Sequence, residues 1–380
     1  MKIGILTEIV NFHSGSRAPL EIARHLSLLG NDVTVYAYSH MLDPKAQKSL
    51  SVNKVKIKLI EKSKNRFLSK QIAAIALYKK LKQDSPDITT FSGTPPFFIA
   101  AKLTNIPIVR IYQGVQFDAL LENLLPGQKP TLTQKIANHV ANIAIFLIDL
   151  MSFRLSSGVV SISKYAAQEG KKLYGRKSNV VIYHGTTFLK IPKSTPKKDN
   201  KTVNLISVSR ITPYKGFHNI INALEKVKTQ KKMKLTIVGS QPKKDYVKYL
   251  EKLGKDKLTI VTNPTDAKLA QIYKNSDIYV SADRYLYFGL PICEAGVFNL
   301  PTVSLNLAAA VEIVKHAKSG YIANSQEEFT KYLEILINNP SIRFKLAKEA
   351  KKQAQEFFSW SKAAKQYEKL FSKIIKKKSP

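Results

Sequence analysis

At 380 residues the chain is long enough for two domains of ordinary size, each with its own core. A hydrophobic content of 44%, with 17 Phe and 17 Tyr, excludes a disordered polymer, and a net charge of +34 tolerates, or calls for, a polyanionic partner. The single cysteine, Cys293, excludes an internal disulfide and fits a reducing compartment.

The apolar run at residues 1–7 is too short for a signal peptide and reads as the first strand, over 2–8. A loop at 11–17, carrying Gly15, leads into a helix with Leu20, Ile22, Ala23, Leu26 and Leu29 apolar and Gly30 closing it. Residues 32–36 form the next strand, so the chain opens as a doubly wound fold, without a G-x-G-x-x-G. Between 45 and 82 stand twelve Lys or Arg against one acid, Glu61. Within that run, 66–82 reads as a helix with Phe67, Leu68, Ile72, Ile75 and Leu81 apolar. Either this helix covers the sheet and its lysines are a wet face, or it docks on an anionic membrane, where each base contributes about 1 kcal/mol. Residues 86–90 and 107–112 resume the sheet, the latter ending at Gln113. The most apolar long stretch, 136–151, contains His139, Asn142 and Asp149 and falls short of the roughly 18–20 residues a spanning helix needs, so no transmembrane helix is predicted. Residues 193–200 are polar, contain Pro196, and read as an interdomain linker.

The second half alternates strand and helix, with strands at 203–208, 235–238, 258–261, 278–281 and 302–304 forming a second parallel sheet. The first of them runs into Arg210, Lys215 and Gly216, after which Phe217, Ile220, Ile221, Leu224 and Val227 recur at helical spacing. A helix start with its free N–H groups, one forked and one compact cation, suits a diphosphate. Such charge-assisted bonds contribute roughly 1.5–3 kcal/mol each. Gly216, lacking a Cβ, would let the anion approach the backbone. After the strand at 278–281 come Gly289 in a tight turn, Pro291 at the first helical position and Glu294 in the first turn. Both helix starts lie at the carboxyl edge of the sheet, where open parallel sheets bind ligands. A last helix begins around 358–360 and runs through Leu370, Phe371, Ile374 and Ile375; residues 361–380 hold seven Lys and one Glu.

Val208-Ser209-Arg210 with Tyr214-Lys215-Gly216, and Phe288-Gly289-Leu290-Pro291 with Glu294, resemble the donor-site motifs of retaining GT-B glycosyltransferases of the glycosyl transferases group 1 (family 4) type. The similarity extends over essentially the whole chain. It implies an α/β fold of GT-B architecture: two Rossmann-like, doubly wound parallel-sheet domains facing across a cleft. Residues 1–192 would bind the acceptor, 201–358 the nucleoside-diphosphate sugar, and a helix at 359–378 would cross back onto the first domain. It also implies that Arg210 and Lys215 hold the diphosphate and Glu294 the ribose. Phe288, Gly289 and Leu290 assist, with Gly15, Gln113, Gly239 and Val261 around the donor. By the resemblance the transfer is hexosyl-type with retention of configuration, and no cofactor is expected. No D-x-D and no ligand spacing among the seven histidines points to a metal.

The chain departs from the family pattern at several positions. Gln113 stands where a histidine is common, which leaves the departing phosphate as the family's base. His184 replaces the usual Asn and reads as structural. Residues 308–310 are alanines where glycines are usual. Most consequential, Leu286 occupies the first position of the Glu-x7-Glu signature, Tyr287 replaces a glycine, and the nearest acid is Asp283.

Three readings follow: an active transferase gripping its sugar by other groups, a non-catalytic nucleotide-binding or partner subunit, or a nucleic-acid binder, which no recognition motif supports. The first implies a saccharide or lipid-linked acceptor, metal-independent chemistry and no nucleic acid. It also implies a cytoplasmic location with peripheral contact on the anionic inner face of a membrane. Lys215→Ala is expected to impair donor use with little loss of stability, the residue being in a loop.

Overall fold

The computed structural model describes residues 1–12, 16–61, 69–92, 95–186, 201–240 and 242–378. The expected linker at 193–200, residues 66–68 of the expected basic helix and Gly15 lie outside the described residues.

In chain order the elements are β1 (Lys2–Leu6), α1 (Arg17–Leu28), β2 (Asp32–Tyr38), α2 (Pro44–Val52), β3 (Lys56–Ile60), α3 (Ser69–Asp84) and β4 (Ile88–Phe91). Then come α4 (Pro95–Leu103), β5 (Ile108–Tyr112), α5 (Leu132–Leu155), β6 (Gly158–Ser161), α6 (Lys164–Tyr174) and β7 (Val180–Val181). The second half holds β8 (Thr202–Val208), α7 (Phe217–Glu225), β9 (Lys232–Gly239), α8 (Lys244–Gly254), β10 (Leu258–Thr262), α9 (Asp266–Asn275) and β11 (Ile278–Ser281). It ends with α10 (Leu290–Val297), β12 (Thr302–Leu305), α11 (Ala310–Ile313), β13 (Gly320–Ala323), α12 (Gln326–Asn338), α13 (Pro340–Phe357) and α14 (Trp360–Lys378).

Two parallel sheets result, one of seven strands in the order β3-β2-β1-β4-β5-β6-β7 and one of six in the order β10-β9-β8-β11-β12-β13. Each reverses its strand order once, next to its first strand, as in a doubly wound fold. The sequence reading assigned no strand to β3, whose Lys-Ile-Lys-Leu-Ile alternation hides in the basic run, nor to β6, β7 and β13. With lysines at two of its five positions, β3 is a charged edge strand that discourages further pairing.

The chain divides into two compact units: residues 1–115, 143–184 and 360–380 in one, and 116–142 with 185–359 in the other. The expected first domain, 1–192, therefore loses 116–142. Those residues are held by the second unit: the Tyr285 hydroxyl donates to the Phe117 carbonyl at 2.8 Å, Arg284 pairs with Glu122 at 2.6 Å, and Leu125 packs on the core. That core joins Leu205, Ile237, Ile278 and Val303 of the strands to Phe217 and Leu224 of α7 and to Phe329 and Leu333 of α12. In the first unit, Leu6, Tyr36 and Phe91 of the sheet meet Leu77 and Leu81 of α3 and Phe97 and Phe98 of α4. Helix α14 belongs to this unit and packs on α1, with Asn31 donating to Glu368 at 2.7 Å.

Two helices differ from expectation. In α3 the buried stripe is Ala73, Leu77 and Leu81, four residues apart, whereas Ile72 and Ile75 are exposed. The apolar stretch at 136–151 is part of the 24-residue α5, which by length and composition alone is sufficient to cross a membrane. Its inward face is partly polar, with Asn138, Asp149 and Ser152 buried beside Phe153, while Ile136, Val140, Ile143, Leu147, Met151 and Leu155 are exposed. Asp149 pairs with Arg110 of β5 at 2.8 Å and accepts from the Tyr174 hydroxyl at 3.2 Å, so the inward face is fixed by charge.

Candidate functional site

In the second unit the strand order reverses between β8 and β11, which pair Leu205 with Ile278 and Ile206 with Tyr279. In open parallel sheets such a reversal is where ligands bind, beyond the carboxyl ends of the two strands. The Tyr279 hydroxyl, buried between them, donates to the Val208 carbonyl at 3.2 Å, and burial drives its pKa well up, so it stays a neutral strut.

The loop after β8 is tied to β9: the Ser209 N–H donates to the Val238 carbonyl at 3.0 Å and the Ile211 N–H to that of Ser240 at 3.1 Å. Gly239 makes this possible, because a Cβ there would lie 1.8 Å from the Ser209 carbonyl oxygen. A single 3₁₀ turn, Pro213–Lys215, then delivers the chain to Gly216 at φ +70° and into α7. A Cβ at Gly216 would lie 2.3 Å from the Ala282 carbonyl oxygen. The glycine is required by its left-handed backbone and by the end of β11.

That contact joins the two loops, and a buried ion pair completes the junction. Lys215 Nζ donates to Asp283 Oδ2 at 2.6 Å, with side chains only 8% and 11% exposed. The other oxygen, Oδ1, accepts from the Tyr285 N–H at 2.9 Å. Lys215 also lies 5.1 Å from the centre of the Tyr214 ring, and the Arg210 guanidinium lies 5.6 Å from it. Of the two predicted cations, Arg210 has no carboxylate partner among the described residues, whereas Lys215 is neutralised by Asp283. Lys215→Ala would leave Asp283 buried and unpaired, so the expected small effect on stability is corrected.

Helix α10 begins at Leu290, making Pro291 its second residue, one later than expected. Gly289 caps it at φ +82°, its carbonyl accepting from the Ile292 N–H at 3.0 Å. Glu294 is buried, and its Oε2 accepts from the Tyr273 hydroxyl at 3.1 Å. Leu286 is buried as well, 3.0 Å from where a Cβ on Gly289 would stand. Phe288 packs edge-on to Phe358 at 5.6 Å, so it supports the loop from within.

The structure thus gathers Arg210, Lys215, Gly239, Phe288, Gly289, Leu290 and Glu294 at the carboxyl edge of the second sheet. Val261 is half-buried near the end of β10, paired with Val238, two strands away from β8. Gln113 follows β5 and belongs to the first unit. Sequence reasoning missed the service of Asp283 to Lys215; an acid two residues past a strand end at a switch point was the available signal. Of the remaining titratable groups, His184 stacks on Trp360 at 5.1 Å and burial pushes its imidazole down to about 3, so it is neutral near pH 7. Burial raises the Cys293 thiol, which removes it as a nucleophile. Among the described residues no three His, Cys, Asp or Glu side chains come together.

Residues 189–356 match the family described as Glycosyl transferases group 1, and residues 16–187 match Glycosyltransferase Family 4. The chain is 23% identical over 337 residues to the capsular polysaccharide biosynthesis glycosyltransferase CapM of Staphylococcus aureus, covering 80% of this chain and 83% of that protein. It is 27% identical over 186 residues to an uncharacterized glycosyltransferase of Haemophilus influenzae, 48% of this chain and 52% of the relative. Like that one, several of the curated relatives are matched over only about half their length. Among solved structures, Anabaena HepE in complex with UDP-glucose superposes with a TM-score of 0.77 at 17% identity, covering 98% of this chain and all 100% of that one. WaaG, a glycosyltransferase involved in lipopolysaccharide biosynthesis, gives 0.71 at 16% identity over 96% and 99%. At such identities these structures speak for the shared GT-B fold alone.

Proposed function

Since the chain belongs to the group 1 glycosyltransferases, we propose that it transfers a sugar from a nucleoside-diphosphate sugar to a saccharide or lipid-linked acceptor. The transfer retains configuration and needs no metal, and it takes place at the inner face of a membrane. The observation that carries this reading is the convergence of Arg210, the Lys215–Asp283 pair and Glu294 at the strand-order reversal of one sheet.

In the reaction the bond from the anomeric carbon to the diphosphate oxygen breaks and a bond to an acceptor oxygen forms. The acceptor proton passes to the departing phosphate. Negative charge grows on that phosphate, and Arg210 neutralises it from a fixed position, which is where fixed charge lowers a barrier most. The Lys215 ammonium lends its remaining N–H donors while Asp283 holds it in place. Glu294, oriented by Tyr273, accepts from ribose hydroxyls. HepE has been seen with UDP-glucose, which fits a donor of this class. CapM and WaaG act in making capsular polysaccharide and lipopolysaccharide, which fits an envelope acceptor.

One observation favours a second reading, a nucleotide-binding subunit without turnover: Leu286, at the place of the first signature glutamate, is buried against Gly289 and offers no hydrogen bond. The deciding measurement is nucleoside-diphosphate release from UDP-, GDP- and ADP-sugars, with and without membrane lipid extract. Release by the wild type, falling about 100-fold or more in Arg210→Ala, is expected of the transferase. Nucleotide-dependent thermal stabilisation without release from any donor would establish the second reading.

A further inference from the structure

The outward face of the second half of α5 is apolar. Ile143, Leu147, Met151 and Leu155, all in the first unit, are 48%, 51%, 48% and 44% exposed. Their spacing of four residues places them on one side of a helical stretch about 20 Å long. The face continues onto a neighbouring helix of the same unit: Lys102 Nζ of α4 donates to the Leu155 carbonyl at 3.1 Å, and Leu103 beside it is 64% exposed. Soluble monomers rarely expose a contiguous apolar strip of this extent without a partner.

We propose that this face of the 143–155 stretch of α5, with the adjoining end of α4, is a docking surface for an anionic lipid bilayer, on which that stretch lies along its length. Charge selects the occupant. Exposed bases stand on the helices of this face and on the one packed beside it: Arg154 on α5, Lys102 on α4, and Lys70, Lys79 and Lys82 on α3, which packs against α4. The acids on the same helices are engaged inside: Asp84 with Lys58 and the Tyr36 hydroxyl, Asp149 with Arg110. An apolar strip edged by uncompensated bases is the pattern of an interfacial helix, and anionic headgroups supply the missing countercharge. A second copy of this chain, itself at +34, would instead meet like charge. Lipid cannot surround α5, because its other face is held by Arg110 and Tyr174, so the helix lies on the membrane.

The membrane contact deepens the reading of a lipid-linked acceptor and rests on it for its purpose, but its test requires no turnover. The full chain is floated with vesicles of phosphatidylcholine containing 30% phosphatidylglycerol, in low salt, beside Leu147→Glu/Met151→Glu and, as a control, Phe344→Glu, an exposed apolar residue of the second unit. The wild type and the control are expected to float alike. The double variant should partition at least ten-fold less, with an unchanged melting temperature and no change in mass by light scattering. Equal flotation of the double variant would overturn the proposal in favour of the lysines alone. Failure of the wild type to float, or a wild-type dimer that the double variant dissolves, would overturn it in favour of a protein partner. Nucleoside-diphosphate release, measured separately, fails or succeeds independently of flotation.

Discussion

Lys215 shows how a residue's partner can change what its charge means. Its ammonium is bonded to Asp283 at 2.6 Å in a site nearly closed to water. Breaking such a pair by removing one member costs about 3–5 kcal/mol, whereas removing both is far milder. Urea unfolding of Lys215→Ala should therefore show a loss of about 3 kcal/mol that Lys215→Ala/Asp283→Ala largely recovers, while neither variant regains turnover. Recovery of turnover in the double variant would remove Lys215 from the donor site.

His184 makes a second residue-scale prediction. Its folded pKa is depressed to about 3 by burial, so the unfolded chain takes up this proton first as pH falls below the free value near 6.5. The neutral ring's contribution is complete above that value and is lost on the way down towards 3. At pH 5 the loss is about 2 kcal/mol, and His184→Asn should flatten the stability profile between pH 6.5 and 5 by about that amount.

At the scale of elements, two glycines hold the site loops together. Gly239→Ala would drive a Cβ into the Ser209 carbonyl, and Gly216→Ala would strike that of Ala282 while occupying a left-handed backbone. Each should destabilise the second unit by roughly 2–4 kcal/mol, seen as a lower melting temperature. In Gly216→Ala the displaced loop should also weaken nucleoside-diphosphate binding in calorimetry. The same elements show why the sequence was readable. Strands rich in β-branched residues, such as β8 and β11, and helices with a 3.6-residue period, such as α7, carry their burial in their spelling. Helix α5 and strand β3 were missed or cut short because polar and charged residues interrupt them. Whether Asn138 or Asp149 ends a helix depends on partners elsewhere in the chain, Asp118 and Arg110.

Over the whole molecule, a net charge of +34 acts at a range set by salt, with a screening length of about 10 Å at 0.1 M. Retention on anionic vesicles should fall steeply between 50 and 500 mM NaCl, as measured by flotation. A residue of binding should survive in the wild type and vanish in Leu147→Glu/Met151→Glu, because apolar contact is not screened.

By itself the sequence determined the α/β class, the two parallel sheets and the place of Arg210, Lys215 and Gly289 in the loops that leave two strands, with Glu294 in the helix after one of them, because hydrophobic period and turn chemistry are local properties. The tertiary structure alone decided that residues 116–142 pack with the second unit, that Lys215 is tied to Asp283, and that α5 turns its apolar side outward. Each of those outcomes depends on a partner distant in sequence. No local pattern states which carboxylate an ammonium will meet, or which side of a helix its neighbours will cover.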